Sequence, residues 1–298
     1  MTLIDSHTDL ISVVIPTKNR AQRLIKAITS AQKQYGINLE ILVVDDASLD
    51  NTEEIVKVMG NNDPRINYFR HSKSLGGGAA RNTGIKNAKG SLVAFLDDDD
   101  EWREDKLLIQ TGLLKSDLTA VAVTSSFSLI RPNGKSKPIY VSSSKNRQLL
   151  LKSNHLGGAS VCLALRNALI EVGGFDSKLL SCQDWDLWLK LGTLGRILTT
   201  NELLVQYNDH QEIRITGNLY NEYQGRIKLH LRYRKEMIIS IRKDSLMAIK
   251  FYKNILLNKS PSNRLKNLFL LVLKNKNYES VKLIYKFIKY SLYHRGIN

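Results

Sequence analysis

An apolar run, Leu92-Val93-Ala94-Phe95-Leu96, breaks directly into Asp97-Asp98-Asp99-Asp100 and then Glu101-Trp102. Consecutive apolar residues without polar alternation read as a strand covered on both faces, the habit of parallel sheets flanked by helices. Four carboxylates cannot follow that strand into a core, because burying unpaired charge is costly. They therefore lie at its carboxyl end, where open α/β sheets bind ligands. Oxygen donors clustered there suit a hard divalent cation, Mg²⁺ or Mn²⁺, which in turn favours a phosphorylated partner. Acids opening a helix are the plainer alternative, since the helix dipole favours them. Asp100 and Glu101 are read that way, as the start of the next helix. That alternative explains two acids better than four.

The same pattern recurs upstream. Residues 11–16 form a first apolar strand stopped by Pro16, and Leu24, Ile25, Ala27, Ile28 and Ala31 recur at helical spacing over 20–34. Residues 39–44 form a second strand, also ending in acids, Asp45-Asp46. Ser48 and Asp50 suit the cap of a helix through Ile55, Val56 and Val58. A short third strand spans 66–69. Gly76-Gly77-Gly78-Ala79-Ala80-Arg81-Asn82-Thr83-Gly84 then runs into a helix ending near Gly90. The order β-α-β-α-β-α-β predicts an α/β fold with a parallel sheet and helices on both faces. Past Trp102 the pattern is mixed. It predicts a helix to about residue 114, a strand over 118–123 and a hairpin around Pro132-Asn133-Gly134. A strand over 159–165 and a helix over 166–172 follow. An amphipathic helix over 183–191 carries Trp185 and Trp188, and short strands at 197–199 and 203–207 precede a helical remainder.

Two acid-ended strands with a glycine-rich helix start between them describe a nucleotide site. Asp46 is placed to accept a hydrogen bond from a base or ribose. Gly76 to Gly78 let a backbone approach a ligand closely. The planar fork of Arg81 suits phosphate or base. The glycine stretch matches neither the dinucleotide fingerprint nor the P-loop.

Charge divides the chain. Residues 219–298 hold 18 Lys and Arg against 4 Asp and Glu, whereas residues 1–218 hold 26 against 24. The expected organisation is a catalytic domain over 1–218, with a nucleotide-binding half at about 10–102 and an acceptor half at about 103–218, followed by a basic helical region over 219–298. In residues 279–293, Lys282, Lys286 and Lys289 recur at helical spacing on one face, and Val281, Leu283, Ile284, Tyr285, Phe287, Ile288 and Leu292 give a broad apolar face. That is the pattern of an interfacial helix drawn to an anionic membrane surface, or of a small bundle with a solvated basic face. No nucleic-acid module is visible, so nucleic acid is not an expected partner. Residues 1–10 lack the basic start and apolar stretch of a secretory signal, and no segment reaches the ~20 apolar residues of a spanning helix. Cys162 and Cys182 have no metal-ligand spacing and point to a reducing compartment. The expectation is a cytoplasmic protein, with a peripheral position on the inner face of the plasma membrane left open by the tail.

Five motifs in order resemble the family 2 glycosyltransferases: Val13 to Asn19 (Val-Val-Ile-Pro-Thr-Lys-Asn), residues 43–52 (Val-Val-Asp-Asp-Ala-Ser-Leu-Asp-Asn-Thr), 77–84 (Gly-Gly-Ala-Ala-Arg-Asn-Thr-Gly), 95–102 (Phe-Leu-Asp-Asp-Asp-Asp-Glu-Trp) and 183–188 (Gln-Asp-Trp-Asp-Leu-Trp). The resemblance covers roughly residues 10–215. It implies a GT-A fold, a nucleotide-sugar donor, commonly UDP-linked, a glycan or lipid-linked acceptor in surface polysaccharide or glycolipid synthesis, and inversion at the anomeric carbon. Carried over by position, Pro16, Thr17, Asn19, Asp46, Arg81, Asp97 and Asp98 become nucleotide-sugar contacts, with Thr17 and Asp46 as the nucleoside pair. Asp99 becomes the direct ligand of Mn²⁺ or Mg²⁺, with His210 nearby, and Asp184 the general base. Many members have Glu where this chain has Gln183, and Tyr is frequent where it has Lys18. A lone histidine such as His210 is otherwise a structural hydrogen-bonder. Trp185 is either an acceptor platform or core packing, the usual fate of a large aromatic. Two other readings compete with transfer of a sugar. A nucleotidyltransferase would carry a basic glycine-rich loop after the first strand, which Pro16 to Arg20 does not resemble. A non-catalytic binding module would not need both Asp99 and Asp184.

Overall fold

The computed structural model describes residues 10–141, 147–209 and 219–257. The chain divides into two units. The first comprises Met1–Lys178 with Gln183–Glu212, and the second Leu179–Cys182 with Ile213–Asn298.

In the first unit the elements run β1 (Leu10–Thr17), α1 (Ala21–Gln32), β2 (Asn38–Asp45), α2 (Thr52–Asn62), β3 (Ile66–Arg70), α3 (Gly77–Asn87), β4 (Leu92–Phe95), β5 (Asp100–Trp102), α4 (Lys106–Lys115), β6 (Ala120–Ile130), β7 (Ser136–Ile139), α5 (Arg147–Lys152), a 3₁₀ turn (Ala159–Val161), β8 (Cys162–Leu165), α6 (Arg166–Glu171), α7 (Gln183–Leu191) and β9 (Arg196–Asn208). The sheet order is β3-β2-β1-β4-β8-β6-β9-β5, with β7 as a hairpin arm on β6. Its first four strands are parallel, as the apolar runs predict. β8 then runs antiparallel to both β4 and β6.

Seven of the eight β1 residues are buried, because helices cover both of its faces. α1 presents Leu24, Ala27, Ile28 and Ala31 to the sheet. α3 has almost no apolar face, yet it packs closely because it is small-sided. At Gly84 an added methyl would drive into both γ-carbons of Val14 on β1. A glycine here is a matter of contact distance between helix and strand rather than of backbone angle.

Three local expectations are corrected. Asp100 and Glu101 do not open a helix. Asp100–Trp102 pairs antiparallel with Tyr207, Gln206 and Val205 of β9. Asp100 and Trp102 are both buried while Glu101 between them is not, the period-two alternation of a strand. Residues 159–165 are not one strand, since a 3₁₀ turn precedes β8. The two short strands at 197–199 and 203–207 are one strand, β9, whose pairing with β6 shifts register between Ser125 and Phe127. A bulge of that kind bends a long strand without ending it.

The second unit contains α8 (Leu219–Tyr233) and α9 (Ile239–Leu257), packed as a helical hairpin. Leu229, His230, Tyr233, Ile241 and Met247 are buried. His230 Nδ1 lies 2.9 Å from Ser245 Oγ across the hairpin. Among the described residues no helix is long and apolar enough to cross a membrane. His210 and residues 279–293 lie outside the described residues.

The contact between Gly84 and Val14 makes a prediction. Gly84→Ala overpacks the α3–β1 contact and destabilises the protein by about 1–3 kcal/mol, read from urea unfolding. Val14→Ala in the same chain restores part of that loss. An unchanged midpoint for the single variant would mean α3 is not packed as described.

Candidate active site

The acids after β4 have separate partners. Asp98 is buried at the carboxyl end of β1, where it accepts hydrogen bonds from the Thr17 hydroxyl at 2.8 Å and from Arg20 Nη1 at 2.9 Å. Burial pushes its carboxyl up to about 6 against the pull of Arg20 and Thr17. Asp99 Oδ2 stands 3.3 Å from the same guanidinium nitrogen. Its carbonyl accepts a 2.9 Å bond from the Asn208 side chain. Asp100 turns inward and accepts the Ser160 hydroxyl at 2.6 Å. Ser160 Oγ also accepts the Asp97 backbone N–H at 3.0 Å, and the Ser160 carbonyl takes the Trp102 indole N–H at 2.9 Å. One serine thus staples the acid loop at both ends. Beneath it, the buried Lys106 ammonium lies 4.0 Å from the Trp102 ring centroid and donates to Gln110 Oε1 at 2.6 Å.

Asp97 pairs with Arg81, which reaches it from α3. The guanidinium sits 5.3 Å over the Phe175 ring, and its side chain is 11% exposed. Burial alone would weaken the Arg81 charge, but Asp97, Asp184 and Asp98 together raise its basicity above the ordinary value. Arg81 therefore answers acids from two parts of the chain. Asp184 lies in the first turn of α7, and its Oδ1 is buried with no hydrogen-bond partner among the described residues. Burial pushes the Asp184 carboxyl up to about 6. Arg81 pulls it down, and Asp97 adds to the rise. Beside it, Tyr207 stacks on Phe127 at 4.3 Å, and a methyl added to Gly158 would come within 2.9 Å of the Tyr207 hydroxyl and 3.6 Å of Asp184 Oδ2. Gly158 leaves the space between these two groups open.

α3 brings the two halves together, each residue of Arg81-Asn82-Thr83-Gly84 facing something different. Arg81 takes Asp97. The Asn82 amide clamps Phe175 by a reciprocal pair of 2.8 Å bonds, which fixes the turn after Gly173 and Gly174 under Arg81. Thr83 Oγ1 lies 2.9 Å from His71 Nε2, whose Nδ1 lies 2.8 Å from Asp46. Gly84 meets Val14. One turn earlier, Gly78 lets Gln183 of α7 approach until an added methyl would be 2.9 Å from Gln183 Nε2. That approach puts Asp184 next to Arg81.

Several expected contacts are otherwise engaged. Both oxygens of Asp46 bond within the chain, to His71 and the Leu75 N–H on one side and to Ser74 and the Gly76 N–H on the other. Burial opposes ionisation there, but these bonds hold the Asp46 carboxyl at about 2. Asp46 shapes the loop that leads into α3. Pro16 lies inside β1, paired with Val44. Asn19 is exposed in the left-handed region at φ 54°, and its Oδ1 accepts the Leu49 N–H at 2.6 Å. Trp185 is buried, and its indole N–H donates to the Leu150 carbonyl at 2.6 Å, which is core packing rather than an exposed platform. His210 lies outside the described residues. Four residues the sequence reading passed over matter here: Arg20, Ser160, Phe175 and Tyr207. The turn Gly173-Gly174-Phe175-Asp176 was a visible signal for the third, and the basic end of Thr17-Lys18-Asn19-Arg20 for the first.

The family model described as glycosyl transferase family 2 matches residues 12–173, more than half of the chain. WcaA of Escherichia coli strain K12, provisionally named a colanic acid biosynthesis glycosyl transferase, is 30% identical over 71% of this chain and 77% of its own length. The Escherichia coli UDP-Glc:alpha-D-GlcNAc-diphosphoundecaprenol beta-1,3-glucosyltransferase WfgD is 31% identical over 61% of this chain and 69% of its own length. Some relatives are longer. A glycosyltransferase of Rickettsia felis is 45% identical over 37% of this chain, a match spanning 18% of that protein. Among solved structures, S. aureus TarS 1-349 in complex with UDP-GlcNAc superposes with a TM-score of 0.67 at 17% identity, covering 88% of this chain and 80% of that one. Mannosyltransferase PcManGT from Pyrobaculum calidifontis, in complex with GDP-Man and Mn²⁺, superposes at 0.61 and 17% identity, covering 94% and 86%. The fold is GT-A.

The position of Asp184 has a consequence for stability. Its carboxyl titrates at about 6 in the folded chain and at about 4 when unfolded. Between those values the folded state keeps a proton that the unfolded chain has released. Its contribution to stability therefore falls as pH rises through this window and stays low above it. Asp184→Asn removes the buried charge, so the thermal midpoint of that variant at pH 7 exceeds the wild type's, and the difference closes below about pH 4. A lower midpoint at pH 7 would mean the charge is welcome where it sits.

Proposed function

The chain belongs to glycosyl transferase family 2 and is a glycosyltransferase; from that premise we propose that it moves a sugar from a nucleotide-sugar, a UDP-sugar first, to a hydroxyl of a glycan or lipid-linked glycan, with inversion. The observation that carries this reading is the buried, unpartnered Oδ1 of Asp184 beside the Arg81–Asp97 pair. A carboxyl that titrates near 6 and has one oxygen without a protein donor among the described residues is suited to take a proton at neutral pH. In the proposed step the acceptor hydroxyl gives its proton to Asp184 while its oxygen attacks the anomeric carbon. The bond from that carbon to the diphosphate breaks on the opposite face, and the nucleoside diphosphate leaves with the bonding electrons. One displacement converts an α-linked donor into a β product. Arg20 and Arg81 place two cations beside the acid loop, where the departing diphosphate gains charge.

The donor set also suits a divalent cation. Mg²⁺ and Mn²⁺ bind oxygen ligands through one or two carboxylates plus substrate phosphates rather than through a closed protein cage. That matches an acid loop in which Asp98 is held by Thr17 and Arg20 and Asp97 by Arg81, while the Asp99 carboxylate has, among the described residues, the long contact to Arg20. Asp99 is the protein ligand this proposal names, with His210 as its second. When bound, such an ion would neutralise charge on the diphosphate. The name of WfgD, a UDP-Glc-dependent enzyme acting on a diphosphoundecaprenol-linked sugar, supports a UDP-sugar donor and a lipid-linked acceptor. It also supports a place in polysaccharide or glycolipid synthesis at a membrane face.

A panel of UDP- and GDP-sugars assayed with Mn²⁺ for hydrolysis and transfer tests the donor. Asp184→Asn keeps donor binding, read by calorimetry, and loses about 10²- to 10⁴-fold in transfer. Asp99→Asn weakens donor binding in the presence of Mn²⁺. Near-normal transfer by Asp184→Asn would assign the base elsewhere.

A further inference from the structure

The second unit carries a surface that the transfer chemistry does not use. Its α8–α9 hairpin buries Leu229, His230, Tyr233, Ile241 and Met247 along its inner side. The turn between the helices, residues 234–238, does the opposite. Ile238 is 54% exposed and Ile239 76%, and they are the only large exposed hydrophobics adjacent in sequence among the described residues. Isolated exposed apolar side chains are ordinary, but a neighbouring pair where one helix turns into the next is not what internal packing produces. Around the pair stand exposed Arg234 and Lys235 on one side and exposed Arg242 and Lys243 on the other, with Glu236 as the acid within the same ten residues.

We propose that the α8–α9 turn is a membrane-docking tip, with Ile238 and Ile239 entering the interfacial layer of an anionic bilayer while Arg234, Lys235, Arg242 and Lys243 meet its headgroups. The charge selects this occupant. Basic side chains beside a lipid surface gain from its negative potential, and an apolar wedge adds a term that salt does not screen. Single-stranded nucleic acid would also welcome the cations, but it is held by aromatic stacking, which isoleucine does not supply. The excess of 18 basic over 4 acidic residues in 219–298 places the tip in a broadly positive region of sequence. The proposal deepens the reading of a lipid-linked acceptor and rests on it for its purpose, since docking would hold the enzyme at the surface where that acceptor lies.

Co-sedimentation of the full chain with vesicles tests it. Wild type binds phosphatidylglycerol-containing vesicles and binds pure phosphatidylcholine vesicles at least about tenfold more weakly, the sign of an electrostatic contribution. Ile238→Glu with Ile239→Glu lowers binding to the anionic vesicles about tenfold or more, without shifting the thermal midpoint. Arg242→Gln with Lys243→Gln lowers it too and flattens its salt dependence. Transfer to a water-soluble acceptor stays at the wild-type rate in both variants, which separates failure of docking from failure of the proposed chemistry. Undiminished vesicle binding by the isoleucine variant would overturn the tip. So would equal binding of wild type to neutral and anionic vesicles, or binding instead to an acidic protein surface with none to lipid.

Discussion

A single buried cation joins the two halves of this site. Arg81 pairs with Asp97 from the acid loop, feels Asp184 from α7, and rests on the Phe175 ring. Arg81 is the more deeply set partner of this pair, so removing Asp97 would leave its charge poorly solvated. That need for a partner constrains the chain around it. α3 must lie close enough on β1 to aim Arg81 inward, which Gly84 allows against Val14. The turn carrying Phe175 must stay beneath the guanidinium, which Asn82 secures at both the N–H and the carbonyl. The start of α7 must come in beside α3, which Gly78 permits. A helix with hardly any apolar face is thus held by contacts that are specific rather than extensive.

The consequence for chemistry is a division of labour among acids of one type. Asp46 bonds four donors and stays fully ionised as a loop organiser. Asp100 is locked onto Ser160. Asp98 is buried against Thr17 and Arg20. Of these four acids among the described residues, Asp184 is the one that combines a buried oxygen with no partner and a carboxyl that burial pushes up. Environment, not residue type, sorts structural carboxylates from a reactive one. The second unit contributes a basic helical hairpin whose exposed tip concerns where the enzyme works rather than what it does to a sugar.

The parallel half of the fold was legible because its signals are local. Apolar runs ending in acids, and Gly76 to Gly84 between them, fix strand ends and a helix start within a few residues of each feature. Family membership was likewise legible in five motifs. What the sequence withheld depends on partners far along the chain. Asp100 reads as a helix-opening acid until Ser160, sixty residues later, is seen to receive it. Asp46 reads as a free acceptor until the His71, Ser74, Leu75 and Gly76 bonds are counted. Trp185 leaves an acceptor platform open beside core packing until Leu150 takes its indole. Arg20 looked like a loop residue, and it is the cation between Asp98 and Asp99. In each case the deciding partner lies beyond the reach of local pattern, and for Asp100 that also hid the strand it belongs to.

The account turns on Asp184 being the group that accepts the proton while Arg81 sets its charge. The pH dependence of kcat/KM for the acceptor, in wild type and in Arg81→Gln, tests this directly. The account predicts an acid limb with an inflection near 6 in wild type, because the base must be ionised. In Arg81→Gln that limb moves to higher pH, since the cation that holds Asp184 down is gone. An inflection belonging to Asp98 would answer more strongly to Arg20→Gln, because Arg20 bonds that carboxylate directly. A limb unmoved by Arg81→Gln, or a flat profile from pH 5 to 8, would contradict the central claim.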